Sequence, residues 1–265
     1  MMLRGNMYSQ KYLKSCAEKI ARKLITKKKN NYFKTPYKHL IIDNVLDKKF
    51  ANYCMNCFPS LNKKKLWEKT NTKSIEIKYR SNWNSEFDIP DGIVNLVRIL
   101  NSSIFLNALS KRFSIAKLMP DPYYTGGGLN VTKKNGLLDV HIDGNYHDAS
   151  GLNRRLNVLI YFNPGWKKNW GGEFGVYSNN GKTCLKKIEP LFNRLVVFDT
   201  HDYSFHGLPN PINFPKKKPR KSLLLYYYTK EMRPKNLRKI TKPHSALWVK
   251  KKLLDKKGNI LRNYY

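Results

Sequence analysis

A chain of 265 residues that is 41% hydrophobic and 13% aromatic can bury a substantial core, which excludes a wholly disordered polymer. Lys and Arg number 51 against 18 Asp and Glu, a formal charge of +33 that attracts polyanions. The lysines are spread along the chain, at Lys27 to Lys29, Lys63 to Lys65, Lys216 to Lys218 and Lys250 to Lys252, and no recognised nucleic-acid motif accompanies them. Four cysteines are too few for a disulfide framework, and no apolar run is long enough for a signal peptide or a bilayer span. The chain therefore reads as soluble and cytoplasmic.

In chain order, Leu13, Cys16, Ala17, Ile20, Ala21 and Leu24 recur at helical spacing among lysines. They predict a basic amphipathic helix over residues 9–27 whose stripe packs on the body of the protein, an anionic membrane surface being the alternative. Pro36 closes this arm. His39–Val45 reads as a short strand, followed by a helix over Lys48–Phe58 that stops at Pro59. Cys54 and Cys57 lie one turn apart with neither a second pair nor nearby histidines, and so read as the buried side of that helix rather than a zinc or redox site.

Residues 60–88 are polar and read as loop, with one short strand at Ser74–Tyr79 and with Trp67 and Trp83 as isolated anchors. Asp88-Ile89-Pro90-Asp91 is a helix start with an acidic cap and Pro in the first turn, and Ile93, Leu96, Val97 and Leu100 follow on one face. A further helix covers Ser103–Arg112. From Leu118 onward, short β-like runs alternate with Gly, Pro and Asn turns: 137–142, 155–162, 173–177, 186–188, 194–198 and 222–229. Strands in series without intervening helices predict a mainly β sandwich or jelly roll with flanking helices. The expected organisation is a basic helical arm (1–35), a helical support region (36–117), a β core (118–230) and a basic C-terminal extension (231–265) in one globular domain.

Strand 137–142 delivers His141-Ile142-Asp143, and period-two alternation puts residues 141 and 143 on one face, so that an imidazole and a carboxylate reach one metal. His206 follows beside Gly207 at the start of a later strand. Two histidines and one carboxylate on one face of an octahedron leave adjacent positions open for a keto acid and dioxygen, the arrangement of non-haem Fe(II) oxygenases. His147 and His201 compete for the place of the distal histidine; His206 is preferred because the ligands must converge. Arg220 opens the strand that carries Ser222 on the same side. Its guanidinium can clamp a carboxylate with the hydroxyl assisting, the plainer alternative being a solvated charge after Lys216 to Lys218. Gly126 to Gly128 lack the sequel of a phosphate loop and read as a turn, and Gly171-Gly172-Glu173 opens a strand. Asn157 and Tyr161 either line the cavity or pack within it. Trp166 and Trp170 sit on a loop where they contact substrate or serve as a hydrophobic lid.

The run HIDGNYHDASGLNRRLNVLIYFNPGWKKNWGGEF, followed by RLVVFDT, SFHGLPNP and PRKSLLLYYYT, resembles the catalytic core of prolyl-4-hydroxylase-type 2-oxoglutarate/Fe(II)-dependent oxygenases, especially the bacterial and viral branch. The likeness spans residues 117–230, and LNSSIFLNALS and DPYYTGGGL upstream also fit it. It implies a double-stranded β-helix, a jelly-roll and cupin-like core supported by the N-terminal helices. It further implies Fe(II) held by His141, Asp143 and His206, 2-oxoglutarate anchored by Arg220 with Ser222 assisting, dioxygen as the other co-substrate and ascorbate as reductant. The implied reaction is hydroxylation of a C–H bond with release of succinate and CO2. Related halogenases lack the carboxylate, so Asp143 points to hydroxylation. One departure stands out: where such enzymes often place a tyrosine ahead of the H-x-D strand, this chain has Val131-Thr132. The co-substrate is then supported differently, and the substrate stays open between peptidyl proline and a sugar, nucleotide, lipid-linked precursor or free amino acid. The rival from another class is a non-catalytic jelly-roll module whose charge binds nucleic acid or acidic glycan.

Overall fold

The structure, a computed structural model, describes residues 8–26, 31–72, 75–210 and 212–251. Parts of the expected basic arm and C-terminal extension, including Lys27 to Lys29 and Lys252, and the first residue of the expected strand at Ser74, lie outside the described residues.

The first helix, α1 (Gln10–Ile25), starts at Ser9, whose side chain accepts from the Tyr12 N–H. Its stripe of Leu13, Cys16, Ala17, Ile20, Ala21 and Leu24 is buried, and it packs on α3 (Asp91–Asn101) and α4 (Ser103–Phe113). The helix runs to Ile25, and the strands β1 (Tyr32–Phe33) and β2 (His39–Ile42) pair antiparallel across the stretch that contains Pro36. The helix α2 (Lys48–Asn56) follows, with Cys54 buried against Gly92; all four cysteines are free. Asp88 does not cap α3: its carboxylate accepts from Asn84 N and Ser85 N, and Pro90 takes the cap position. No single helix among the described residues is long and apolar enough to cross a membrane. The pair α3 and α4 passes by length and composition only when joined across a 51° bend.

Residues 60–88 are not a loop with one strand but a hairpin, β3 (Trp67–Thr72) against β4 (Glu76–Ser81). The β3 sequence WEKTNT has little apolar alternation because it is the last strand of its sheet and pairs on one side only, a position that tolerates polar side chains. The remaining strands are β5 (Met119–Pro120), β6 (Gly128–Thr132), β7 (Leu137–Leu138), β8 (His141–Ile142), β9 (Asn153–Tyr161), β10 (Phe174–Tyr177), β11 (Cys184–Ile188), β12 (Arg194–Asp199), β13 (His206–Gly207), β14 (Arg220–Thr229) and β15 (Leu247–Trp248). The run 137–142 is thus two strands in two sheets: β7 pairs with β4, and after Asp139-Val140 the chain crosses over so that β8 pairs with β13.

Two antiparallel sheets face each other. The larger runs β1-β2-β12-β9-β14-β6-β4-β3, with β5 beside β14 and β7 beside β4; the smaller runs β11-β10-β13-β8-β15. Alternation divides the larger sheet cleanly. Leu156, Val158 and Ile160 of β9, Leu195 and Val197 of β12, and Leu223, Leu225 and Tyr227 of β14 pack against the helices. Leu159, Tyr161, Val196 and Phe198 point the other way and meet Phe174, Val176 and Ile188 of the smaller sheet. Each fully buried aliphatic or aromatic side chain in these layers contributes about 1.5–3 kcal/mol. This is the jelly-roll architecture expected from the series of short strands. A third apolar cluster, with Ile142, Tyr177, Phe205, Ile240 and Leu247, lies where the C-terminal segment covers the smaller sheet.

Candidate active site

The site sits between the sheets. His141 and His206 are direct cross-strand partners in the β8–β13 pair, which sets their rings 4.3 Å apart between centroids. Gly207 permits that approach, since a Cβ there would lie 2.9 Å from the Asp139 carbonyl oxygen. Asp143 follows β8, and its oxygens lie 3.6 Å from His141 Nε2 and 3.5 Å from His206 Nε2. All three side chains are buried, with candidate ligand atoms within 4.8 Å of one another. Donors about 2.1 Å from one ion and at right angles are roughly 3 Å apart, and the Asp143 carboxylate is within about half an ångström of that spacing from each imidazole.

The hydrogen bonds around the cluster favour that chemistry. His141 Nδ1 lies 2.8 Å from the Asp139 carbonyl and His206 Nδ1 2.9 Å from that of Ser204, which assigns the ring proton to Nδ1 and leaves each Nε2 lone pair facing Asp143. Burial, reinforced by His141, pushes His206 down to about 4, so its imidazole is neutral near pH 7. Burial alone would raise Asp143, but His206, His141 and Arg154 hold its carboxyl well below the usual range. Asn157, across the cavity on β9, donates from Nδ2 to Asp143 Oδ2 at 2.7 Å.

Arg220, Ser222, Leu224 and Tyr226 alternate along β14 with the outward-packed Leu223, Leu225 and Tyr227. Arg220 is buried, not a solvated charge: its Nε donates to the Gly172 carbonyl at 2.7 Å, a bond that does not use the terminal nitrogens. Gly172 has φ +80°, and a Cβ there would press on the Arg220 side chain at 3.1 Å. The Tyr161 ring lies 4.9 Å from the guanidinium, and its buried hydroxyl has no hydrogen-bond partner among the described residues. Ser222 pairs in register with Tyr161 and is also buried. Val131 packs with the helices, whereas the buried Thr132 stands directly opposite Arg220 in the β6–β14 pairing.

The structure brings together His141, Asp143 and His206 as one cluster, and Arg220, Ser222 and Tyr161 as a second group on the same cavity wall. It leaves out His147, which is paired with Asp121 at 3.0 Å, and His201, which accepts from the Tyr203 N–H. Trp166 donates to the Gly171 carbonyl and Trp170 packs on Phe214 at 5.1 Å, so both brace the turn whose Gly172 carbonyl anchors Arg220. Three residues escaped the sequence reading. Tyr226 shares the parity of Arg220 and was findable on that signal. Arg154 lies 3.8 Å from Asp143 and 3.8 Å over the Tyr226 ring, but reaches the cavity through a register shift between Tyr227 and Tyr228. Trp248 stacks on His141 from a distant segment, with no local signal at all.

Comparison with known proteins agrees with this arrangement. Residues 127–228 match the 2OG-Fe(II) oxygenase superfamily. Over 64 residues the chain is 31% identical to mouse prolyl 3-hydroxylase OGFOD1, a stretch covering 23% of this chain and 12% of the length of that protein. Among solved structures, the fold is similar to a Trichoplax adhaerens prolyl hydroxylase in complex with a hypoxia inducible factor peptide fragment, with TM-score 0.57, 17% identity and coverage of 84% and 94% of the two chains. A Phytophthora capsici prolyl 4-hydroxylase gives 0.55, 18%, and 86% and 69%. A Pseudomonas putida prolyl-4-hydroxylase gives 0.53, 12%, and 73% and 92%. Jelly roll, cavity and sequence match agree: residues 127–228 of this chain are similar to the 2OG-Fe(II) oxygenase superfamily, and its fold is similar to that of prolyl hydroxylases.

Proposed function

We propose that this protein is an Fe(II)- and 2-oxoglutarate-dependent dioxygenase that hydroxylates an unactivated C–H bond, with His141, Asp143 and His206 holding the metal. The observation that carries this reading is the convergence of three buried donors whose outward-facing ring nitrogens are both tied to backbone carbonyls. When bound, Fe(II) with 2-oxoglutarate and dioxygen supplies the oxidation that inserts hydroxyl into the substrate and releases succinate and CO2.

The chain's own groups do the holding. Asn157 keeps Asp143 oriented, so that the carboxylate is presented rather than rotating. Arg220, steered by Gly172, receives the distal carboxylate of 2-oxoglutarate, and Tyr161 lends a hydroxyl beside it. Ser222 stands beside them as a further donor. Arg154 and Tyr161 lie seven residues apart on β9, roughly 23 Å along the strand, so the substrate approaches from the Arg154 and Tyr226 side. A peptidyl prolyl residue is the substrate class placed first, because the similar proteins are prolyl hydroxylases; a sugar, nucleotide or free amino acid follows.

The test is succinate formation from 2-oxoglutarate by the purified protein with Fe(II) and ascorbate, with and without proline-containing peptides. Turnover is expected in the wild type and absent in His141→Ala. No turnover and no Fe(II)-dependent 2-oxoglutarate binding in either protein would replace this reading with a non-catalytic module.

A further inference from the structure

The segment after β14 lies beyond the part of the chain that matches the superfamily, yet it ends on the metal-holding strand. β15 pairs antiparallel with β8, Leu247 opposite Ile142 and Trp248 opposite His141, and thereby covers the edge of the smaller sheet. The Trp248 ring stacks on the His141 imidazole at 4.4 Å and 25°, and Trp248 is 2% exposed. On its other side the His141 ring meets His206, which is itself stacked on Phe174 at 5.4 Å and leans on Phe198 at 4.7 Å. The two imidazoles are thus the middle of a column bounded by Trp248 and Phe174.

The same segment is clamped to the loop that carries Asp143. Asn145 N donates to the His244 carbonyl, His244 N donates to Asn145 Oδ1, and Asn145 Nδ2 donates to the Lys242 carbonyl. At Gly144 the fit is tight enough that a Cβ would stand 2.8 Å from the His244 carbonyl oxygen. Val249 N donates to the Val140 carbonyl, and Lys250 N reaches Asp139 Oδ2. Asp139 is the residue whose carbonyl holds His141 Nδ1, so strand pairing, ring stacking and the Nδ1 contact all bear on one imidazole.

We infer that Trp248 is a positioning residue of the metal site: the C-terminal segment presses its indole on His141 and sets the ring plane in which Nε2 faces the ion. The inference rests on the proposed metal-holding role of His141, Asp143 and His206. An imidazole held by one Nδ1 hydrogen bond can still swing about its side-chain torsions, whereas a ring stacked by Trp248 and met by the tilted ring of His206 cannot. The indole also excludes water from the back of His141, which strengthens the metal's attraction for its donors.

Mn(II) binding to the metal-free full-length protein, followed by the loss of free Mn(II) resonance signal, tests this without turnover. Trp248→Ala and Trp248→Leu, both folded by circular dichroism, are expected to bind Mn(II) about 10–100-fold more weakly than wild type, the range for groups that orient metal ligands. Trp248→Phe, which restores a stacking ring, is expected to return to within a few-fold. Leucine fills the space without a ring, so a merely structural role would leave the folded Leu variant's affinity intact; that result overturns the inference. Should Trp248→Ala fail to fold, the Leu and Phe variants decide between the same outcomes. His141→Ala in parallel separates the two readings. If it binds Mn(II) like the wild type, the metal site itself is wrong; if it loses binding while Trp248→Leu does not, only the role of Trp248 fails.

Discussion

Arg220 is fixed through one of its three guanidinium nitrogens. Its Nε is committed to the Gly172 carbonyl, so direction is set by the backbone while the terminal nitrogens stay in the cavity beside Tyr161. A charge-assisted pair of this kind is worth about 1.5–3 kcal/mol. Arg220→Leu is therefore expected to raise the KM for 2-oxoglutarate by about 10–100-fold. Tyr161→Phe, which removes one neutral donor worth about 1 kcal/mol, should raise it about fivefold. Initial rates of succinate formation against 2-oxoglutarate concentration measure both; unchanged KM values in the two variants would place the co-substrate elsewhere.

At the scale of elements, a buried acid adds a further anchor to the C-terminal segment. Asp202 accepts from Arg233 Nη1 at 2.8 Å and from the backbone N–H groups of Lys239 and Ile240 at 2.6 and 2.9 Å, and it is fully buried. Removing its carboxylate takes from the buried Arg233 cation its direct ion-pair partner, a change that costs about 3–5 kcal/mol. Asp202→Ala is thus expected to lower the urea midpoint and to speed amide exchange first over residues 231–250, as read by mass spectrometry. Uniform exchange across the jelly roll instead would show that the segment is not separately anchored. The helix α1 contributes in a different way: it supplies an apolar face to α3 and α4, on the side of the larger sheet away from the cavity.

For the whole molecule, the pH dependence of stability turns on groups buried without charge. His39 is 1% exposed, its Nδ1 is 2.9 Å from the Tyr37 carbonyl and its Nε2 has no hydrogen-bond partner among the described residues. Burial pushes its pKa down from 6.5 to about 4 despite that carbonyl. The folded state then binds fewer protons than the unfolded chain between these values, so the contribution is present above pH 6.5 and is lost as pH falls towards 4. The size is at most about 3 kcal/mol by linkage. Urea denaturation at a series of pH values should show stability falling through this window, with a shallower fall in His39→Phe; equal slopes would mean that other groups govern it. The charge of +33 acts on association with polyanions rather than on the fold, and any such binding weakens steeply with salt.

Much of this protein is written locally. The stripe of α1, the apolar face of α3 and the alternation in β9, β12 and β14 follow from 3.6- and 2-residue periods, because each element buries one face. His141, Asp143, His206, Arg220 and Ser222 stand out by residue type and spacing, and alternation is enough to put Arg220 and Ser222 on one side of β14. The convergence of the cluster was decided elsewhere. His141 meets His206 because β8 pairs with β13 in that register, and a strand that changes sheets at Asp139-Val140 leaves no periodic trace. The β3–β4 hairpin was hidden because an edge strand needs no apolar face. Arg154 depends on a shift in the pairing of β14 with β9, and Trp248 on a strand added from the far end of the chain. Sequence by itself determined which chemistry was on offer, since periods and side-chain types act over a few residues. Only the tertiary structure decided which groups touch, because register and sheet pairing are set by contacts between segments far apart in the chain.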